Sequence, residues 1–251
     1  MTASNKAAAP HPPLLAQGDA LFVDFDGTLV EIAATPDRIE IAAGLSALLQ
    51  RVANRLDGAF AVISGRPLAD LTRRLVGYSG AVAGNHGLER RSATGIVHRP
   101  RADPTLELVW PAIRQFAALT PGVTIEDKGL AIAIHYRGRP ELAEICRRVA
   151  ERAVLLSENQ LTMLTGKMVI ELRPRGVDKG HAAQAFLAEP EFRNKRPVFI
   201  GDDWTDEAGF AVANRLDGIA IHVGDGKTIA RYRLDSVAAV IRWLEAFLAA
   251  T

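Results

Sequence analysis

Four short polar clusters carry the chemistry legible in this 251-residue sequence: Asp24 and Asp26, Ser64-Gly65-Arg66, Lys179, and Asp202-Asp203 with Asp206. The first follows the apolar run Leu21-Phe22-Val23, and Gly27 comes directly after it. That pattern reads as a buried strand delivering acids at its C-terminal end. In an extended chain, residues two apart point the same way, roughly 6–7 Å from one another. Asp24 and Asp26 can therefore face one pocket, where their mutual repulsion calls for a cation. Oxygen ligands with no thiolate nearby favour Mg²⁺ over zinc. An isolated D-x-D would more often be a strand followed by a turn at Asp26-Gly27. Here the other three clusters also fall at expected strand ends or helix starts.

These residues suit the hydrolysis of a phosphate monoester, among the slowest of uncatalysed reactions. It needs a nucleophile, positive charge around the phosphoryl oxygens and a proton for the leaving alkoxide. A carboxylate can attack phosphorus to give an aspartyl phosphate, while a serine hydroxyl, a backbone N–H and a lysine ammonium hold the other oxygens.

The elements that must position them follow a strand–helix rhythm. Strands are expected over 20–25, 59–63 and 81–84, with helices over about 43–56 and from Leu68 to Leu75, and a turn at Thr35-Pro36-Asp37. Strand–helix–strand order argues for a parallel sheet with crossover helices. From about 102 to 174 the rhythm changes to helix, hairpin, helix, two strands. A helix capped by Asp103 runs to about Leu119 and contains Pro111. Hairpin strands follow over 123–129 and 130–136, then a helix from Pro140 to about Ala153 and strands at Val154-Leu155-Leu156 and 168–172. The parallel pattern resumes with a helix from Asp178, a strand at 198–200, a helix over about 206–214, a strand at 218–223 and a last helix over 237–248. The expected fold is α/β: a doubly wound, Rossmann-like parallel-sheet core (1–101 and 175–251, with 1–17 disordered) and an inserted α+β cap domain (102–174).

Composition bounds the partners. Formal net charge is +1, so no basic excess argues for nucleic acid, and no run approaches membrane-spanning length. The Ala- and Pro-rich Met1–Pro13 stretch lacks the apolar segment of a secretory signal, so the cytoplasm is expected. The single Cys146 sits in a helical pattern and reads as a small buried residue. Arg90-Arg91 reads as a solvated pair and Trp204 as a packed side chain.

VDFDGTL, ISGR, DKG and GDDWTDE, in that order, resemble the four motifs of haloacid dehalogenase-superfamily phosphatases over residues 20 to about 225. GNHGLERR at 84–91, GKMVIELRPRGVDKG at 166–180 and GDDWTDEAGFAVAN at 201–214 are similar to the trehalose-6-phosphate phosphatase family. The resemblance implies a Mg²⁺-dependent enzyme releasing trehalose and phosphate. Asp24 matches its nucleophile and Asp26 its general acid, whose main-chain carbonyl also touches the metal. Ser64 matches the phosphate-binding hydroxyl, beside Gly65, and Lys179 the lysine that steadies nucleophile and phosphate. Asp202 matches the metal-binding acid, with Asp203 and Asp206 in support. In the family the inserted unit closes over the sugar; Lys167 and Glu171 match residues that hydrogen-bond it, and Arg66, Asn85 and His86 lie at the rim. If 167–171 is extended, Lys167, Val169 and Glu171 share one face, and a donor and an acceptor there suit sugar hydroxyls. A functional link to a trehalose-phosphate synthase is also implied. The alternatives are another sugar phosphatase of the superfamily, such as a sucrose-phosphate type, a phosphohexomutase, or a non-catalytic phospho-acceptor module. A pure acceptor would have no use for Asp26.

Overall fold

Strand β1 (Asp19–Val23) is buried at every residue, as is β2 (Phe60–Ile63), because both lie inside a sheet covered on its two faces. The computed structural model describes residues 10–33, 35, 38–99 and 104–250. Helix α1 (Leu45–Arg55) joins β1 to β2, α2 (Leu68–Arg74) joins β2 to β3 (Ala81–Gly84), and two short strands follow, β4 (Glu89–Arg91) and β5 (Val97–His98). The chain then enters a second unit: α3 (Pro104–Leu119), β6 (Thr124–Asp127), β7 (Ile132–His135), α4 (Ala143–Leu156), β8 (Leu161–Gly166) and β9 (Val169–Pro174). It returns through α5 (Lys179–Leu187), β10 (Arg196–Gly201), α6 (Glu207–Arg215), β11 (Ile219–Val223), β12 (Tyr232–Leu234) and α7 (Val237–Ala249). The first unit comprises Met1–His98 and Asp178–Thr251, the second Arg99–Val177.

The first unit is built on one sheet of order β12-β11-β10-β1-β2-β3-β4-β5. It is parallel from β12 to β3, and β4 and β5 add on antiparallel. From β1 the chain winds outward through β2 and β3, then returns to place β10 on the other flank of β1. The winding direction thus reverses between β1 and β10, and a doubly wound sheet leaves its binding crevice at such a point, outside the carboxyl ends of the strands. Phe22 of β1 anchors the core beneath, with its ring centroid 5.6 Å from that of Phe192 and 6.4 Å from that of Phe186. The second unit is an antiparallel sheet, order β6-β7-β9-β8. One face, through Ile132, Ile134, Ile170 and Leu172, packs with Val109 and Ile113 of α3 and Cys146 and Ala150 of α4. No helix among the described residues is long and apolar enough to cross a membrane.

Several expectations are corrected. Val154-Leu155-Leu156 is the last turn of α4, with Leu155 and Leu156 exposed; the strand lies at β8 instead. A short apolar run cannot by itself distinguish a strand from a helix end. Residues 167–171 are not one extended run, because Lys167 and Met168 form the turn between β8 and β9 and Met168 takes a φ of 63°. The first strand stops at Val23, yet the Asp24 N–H still donates to the Ile200 carbonyl at 2.9 Å. β4, β5 and β12 are too short to give a periodic signal. Pro111 does not split α3. Arg91 is no solvated residue: its guanidinium donates to the Gly80 and Tyr78 carbonyls. Arg90 lies over the Phe186 ring at 5.6 Å. Trp204 is exposed. Residues 10–17, expected to be disordered, are tied down by Leu15, which is buried, and by the Pro13 carbonyl, which accepts from the Trp243 indole at 3.1 Å. Pro36 and Asp37 of the expected turn, the Asp103 cap and residues 1–9 lie outside the described residues.

Candidate active site

The side chains that converge belong to the first unit and sit where β1 and β10 end. Asp24 leaves the tip of β1 buried, and Lys179, the first residue of α5, places its Nζ 2.8 Å from Asp24 Oδ1 and 2.8 Å from Asp206 Oδ1. The Asp178 carboxylate caps α5 by accepting from the His181 N–H at 2.8 Å, which fixes where that helix starts and hence where Lys179 begins. Asp206 is fully buried; its Oδ2 accepts from the amides of Asp202 and Asp203 at 3.1 and 3.0 Å. Lys179 and those two N–H groups thus satisfy Asp206 on both oxygens. Asp202 Oδ1 accepts from the Thr28 hydroxyl at 3.1 Å. Asp203 turns away: its carboxylate accepts from the Trp204 N–H at 2.7 Å and caps the following turn.

Asp24, Asp202 and Asp206 each offer an oxygen within 4.8 Å of the others. Three carboxylates face one ammonium in this buried place. Burial pushes the Asp24 and Asp206 carboxyls above the ordinary range, Lys179 pulling each back. Asp202 is pushed up to about 6, first by burial and then by Asp206. Burial opposes the charge on Lys179, but Asp206 and Asp24 override it and hold its pKa above the usual lysine value. Carboxylates crowded in this way favour a proton or a cation among them. The donor set is all oxygen, so the cluster fits a hard divalent cation. Gly27 makes the approach possible: its φ is +81°, and a Cβ there would stand 2.1 Å from Asp202 Oδ2.

At the end of β2, Ser64 is buried and its Oγ accepts from the Arg66 N–H at 3.1 Å. A hydroxyl that accepts in this way keeps its own hydrogen for another oxygen. The Arg66 guanidinium grips Asp26, with Nε and Nη2 each 2.7 Å from a carboxylate oxygen. Asp26 is therefore directed to Arg66, while Asp24 is directed to Lys179. Asn85 and His86 follow β3 in left-handed conformations (φ 48° and 57°), and their N–H groups donate to the carbonyls of Arg66 and Ser64, both at 2.8 Å. The His86 ring lies on Gly65, where a Cβ would stand 2.7 Å from Nε2. Glu89, buried, accepts from the Asn85 side chain and from the Leu68 N–H, each at 2.9 Å, tying this loop to the start of α2.

In the second unit Glu171 is buried in β9 and its partner is Lys128, at 2.5 Å, while Lys167 is exposed at the hairpin turn. Sequence reasoning missed Thr28, Glu89 and Lys128. Thr28 lies inside the VDFDGTL run, but its bond to Asp202 spans 174 positions. Lys128 lies in the expected hairpin strand over 123–129, and its bond to Glu171 spans 43 positions.

Comparison with known proteins gives consistent matches. Residues 22–238 match the family model described as trehalose-phosphatase. The chain is similar to the trehalose-6-phosphate phosphatase of Escherichia coli (strain K12), 41% identical over 236 residues that cover 93% of this chain and 88% of that protein. Among solved structures it resembles a trehalose-6-phosphate phosphatase related protein, with TM-score 0.76, 27% identity and coverage of 91% of this chain and 96% of the other. A haloacid dehalogenase-like hydrolase from Bacteroides thetaiotaomicron shares the fold, with TM-score 0.68, 16% identity and coverage of 91% and 97%.

Proposed function

The chain belongs to the trehalose-phosphatase family, and on that premise we infer how it hydrolyses trehalose 6-phosphate to trehalose and phosphate. The carboxylate of Asp24 attacks phosphorus and forms an aspartyl phosphate. The phosphorus–oxygen bond to the sugar breaks, and Asp26 protonates the departing 6-oxygen. Asp26, now ionised, takes a proton from a water that attacks the aspartyl phosphate, which frees phosphate and restores Asp24. Lys179, 2.8 Å from Asp24, stays charged and offsets the phosphoryl charge, and the Ser64 hydroxyl donates its remaining hydrogen to a phosphoryl oxygen. Mg²⁺, when bound, neutralises charge between carboxylate and phosphate. Asp24 and Asp202 would hold it, with the Asp26 main-chain carbonyl, while Asp206 braces Lys179 and Asp203 caps the turn behind. We assign sugar recognition to Lys167 and Glu171 of the second unit and to the rim residues Arg66, Gly65, Asn85 and His86. A cytoplasmic setting and a functional link to a trehalose-phosphate synthase complete the reading.

The observation that supports it most is the meeting of Asp24, Asp202, Asp206 and Lys179 at the switch point of the sheet. The test is phosphate release from trehalose 6-phosphate and a panel of sugar phosphates with Mg²⁺ present. We expect repeated turnover with preference for trehalose 6-phosphate, and none from Asp24→Asn at unchanged fold. Retained turnover in that variant would remove the covalent route, and preference for sucrose phosphate would move the substrate. A single stoichiometric phosphorylation would favour an acceptor module.

A further inference from the structure

Asp70, in the first turn of α2, collects three guanidiniums: Arg66 Nη1 at 3.1 Å, Arg74 Nε at 2.8 Å and Arg73 Nη2 at 2.5 Å. Arg73 and Arg74 are helix neighbours at i+3 and i+4, an ordinary surface pairing. Arg66 is different. It lies ahead of the helix, and its fork spans two carboxylates, with Nε and Nη2 on Asp26 and Nη1 on Asp70. The Phe25 ring lies beneath it, 5.9 Å from Cζ. Both described side-chain hydrogen bonds of Asp26 come from this one guanidinium.

An arginine side chain has several free torsions, and each anion bonded to its guanidinium restricts them. A second anion on the opposite edge fixes the plane of the fork. Asp70 suits that task. It sits on a regular helix, only 15% of its side chain is exposed, and Arg74 holds the same oxygen, Oδ2, that Arg66 meets. Burial works against its charge, yet Arg74 and Arg66 hold its carboxyl below the usual range.

We propose that Asp70 is a positioning residue for the reaction: through Arg66 it fixes the orientation in which Asp26 meets the leaving oxygen. This rests on the role given to Asp26 above. It predicts a loss mainly in turnover, because Asp70 touches neither phosphate nor sugar; Arg66 also lies at the sugar rim, so KM reads any shift of its fork away from the sugar.

The test is a double-mutant cycle of Asp70→Asn with Arg66→Met, reading kcat and KM on trehalose 6-phosphate and the ¹⁵N-resolved Nε–H signal of Arg66. Asp70→Asn should lower kcat about 10-fold, the scale of loss for a misaligned catalytic group, with KM changed less than about twofold. In the Arg66→Met background the same change should cost nothing further, since the two act as one unit. Asp70→Glu should recover part of the loss, and Arg73→Ala, at an exposed site, should match wild type. The Arg66 Nε–H signal should be sharp in the wild type and broadened in Asp70→Asn. Equal losses in both backgrounds, or an Arg66 signal that does not change, would overturn the assignment. If the wild type released no phosphate, the catalytic reading would fall, and the NMR signal alone would still decide whether Asp70 orients Arg66.

Discussion

Replacing Asp202 by Asn should make the metal-free protein more stable, although it removes an acid from the candidate site. The Asp202 carboxyl is raised from 3.8 to about 6 by burial and by Asp206, so the folded state prefers it protonated. The direction of the pH effect follows from that shift. A carboxyl with a raised folded-state value contributes fully below its unfolded value and loses that contribution as pH rises through the folded value. In chelator, stability tied to Asp202 should therefore fall between about pH 4 and 6. The gap of about 2 units corresponds to a ceiling of about 3 kcal/mol, and partial solvent access reduces it to about 1–2 kcal/mol. Asn mimics the neutral acid in shape and still accepts from Thr28, so Asp202→Asn should escape the penalty. For a chain of this length each kcal/mol moves Tm by about 2–4 °C. Scanning calorimetry in EDTA at pH 7.5 should then show the variant melting above the wild type, and the difference should vanish near pH 4. Millimolar Mg²⁺ should reverse the order, because only the wild type binds it well. A variant that melts no higher than wild type in chelator, or a wild type whose Tm ignores Mg²⁺, would refute the idea that the carboxylates are strained until a cation joins them.

Gly27→Ala should inactivate the enzyme and cost at least about 1 kcal/mol of stability, since it adds a left-handed penalty to a Cβ that overlaps the Asp202 carboxylate; wild-type phosphate release and Tm would contradict the close approach of the two loops. Lys167→Ala and Glu171→Ala should each lower kcat/KM for trehalose 6-phosphate far more than for p-nitrophenyl phosphate. Only Glu171→Ala should also lower Tm, because it removes the buried carboxylate of the Lys128–Glu171 ion pair, and equal losses on both substrates would remove these residues from sugar recognition.

Much of this architecture could be read from residue order, and the reasons are local. The strand-end acids and the buried runs at β1, β2 and β10 announce themselves because a fully buried parallel strand has to be apolar throughout and then stop. Helix starts at Asp178 and Ser236 carry their own caps. What was illegible depends on partners far along the chain. The apolar run Val154-Leu155-Leu156 reads as a strand because nothing within those residues says that α4 continues through them. Glu171 lies 43 positions from Lys128, and the grip of Arg66 on Asp26 crosses 40. Such pairings are fixed by topology rather than by spacing. Trp204 misled because a large apolar residue is ordinarily assumed to be covered, whereas here it rides an exposed turn.

The order in which β1 gains its neighbours has a consequence for synthesis. β2 follows closely, but β10 emerges only after the entire 99–177 segment. Until then the strand bearing Asp24 has one raw hydrogen-bonding edge. Lys179, Asp202 and Asp206 all arrive with that late portion. A nascent chain arrested before residue 178 would own the nucleophile without its counter-ion and would expose a sticky strand to other ribosome products. Competence therefore arrives in a single late event, when the tail of the polypeptide zips onto a half-built sheet and brings Lys179, Asp202 and Asp206 to the waiting nucleophile.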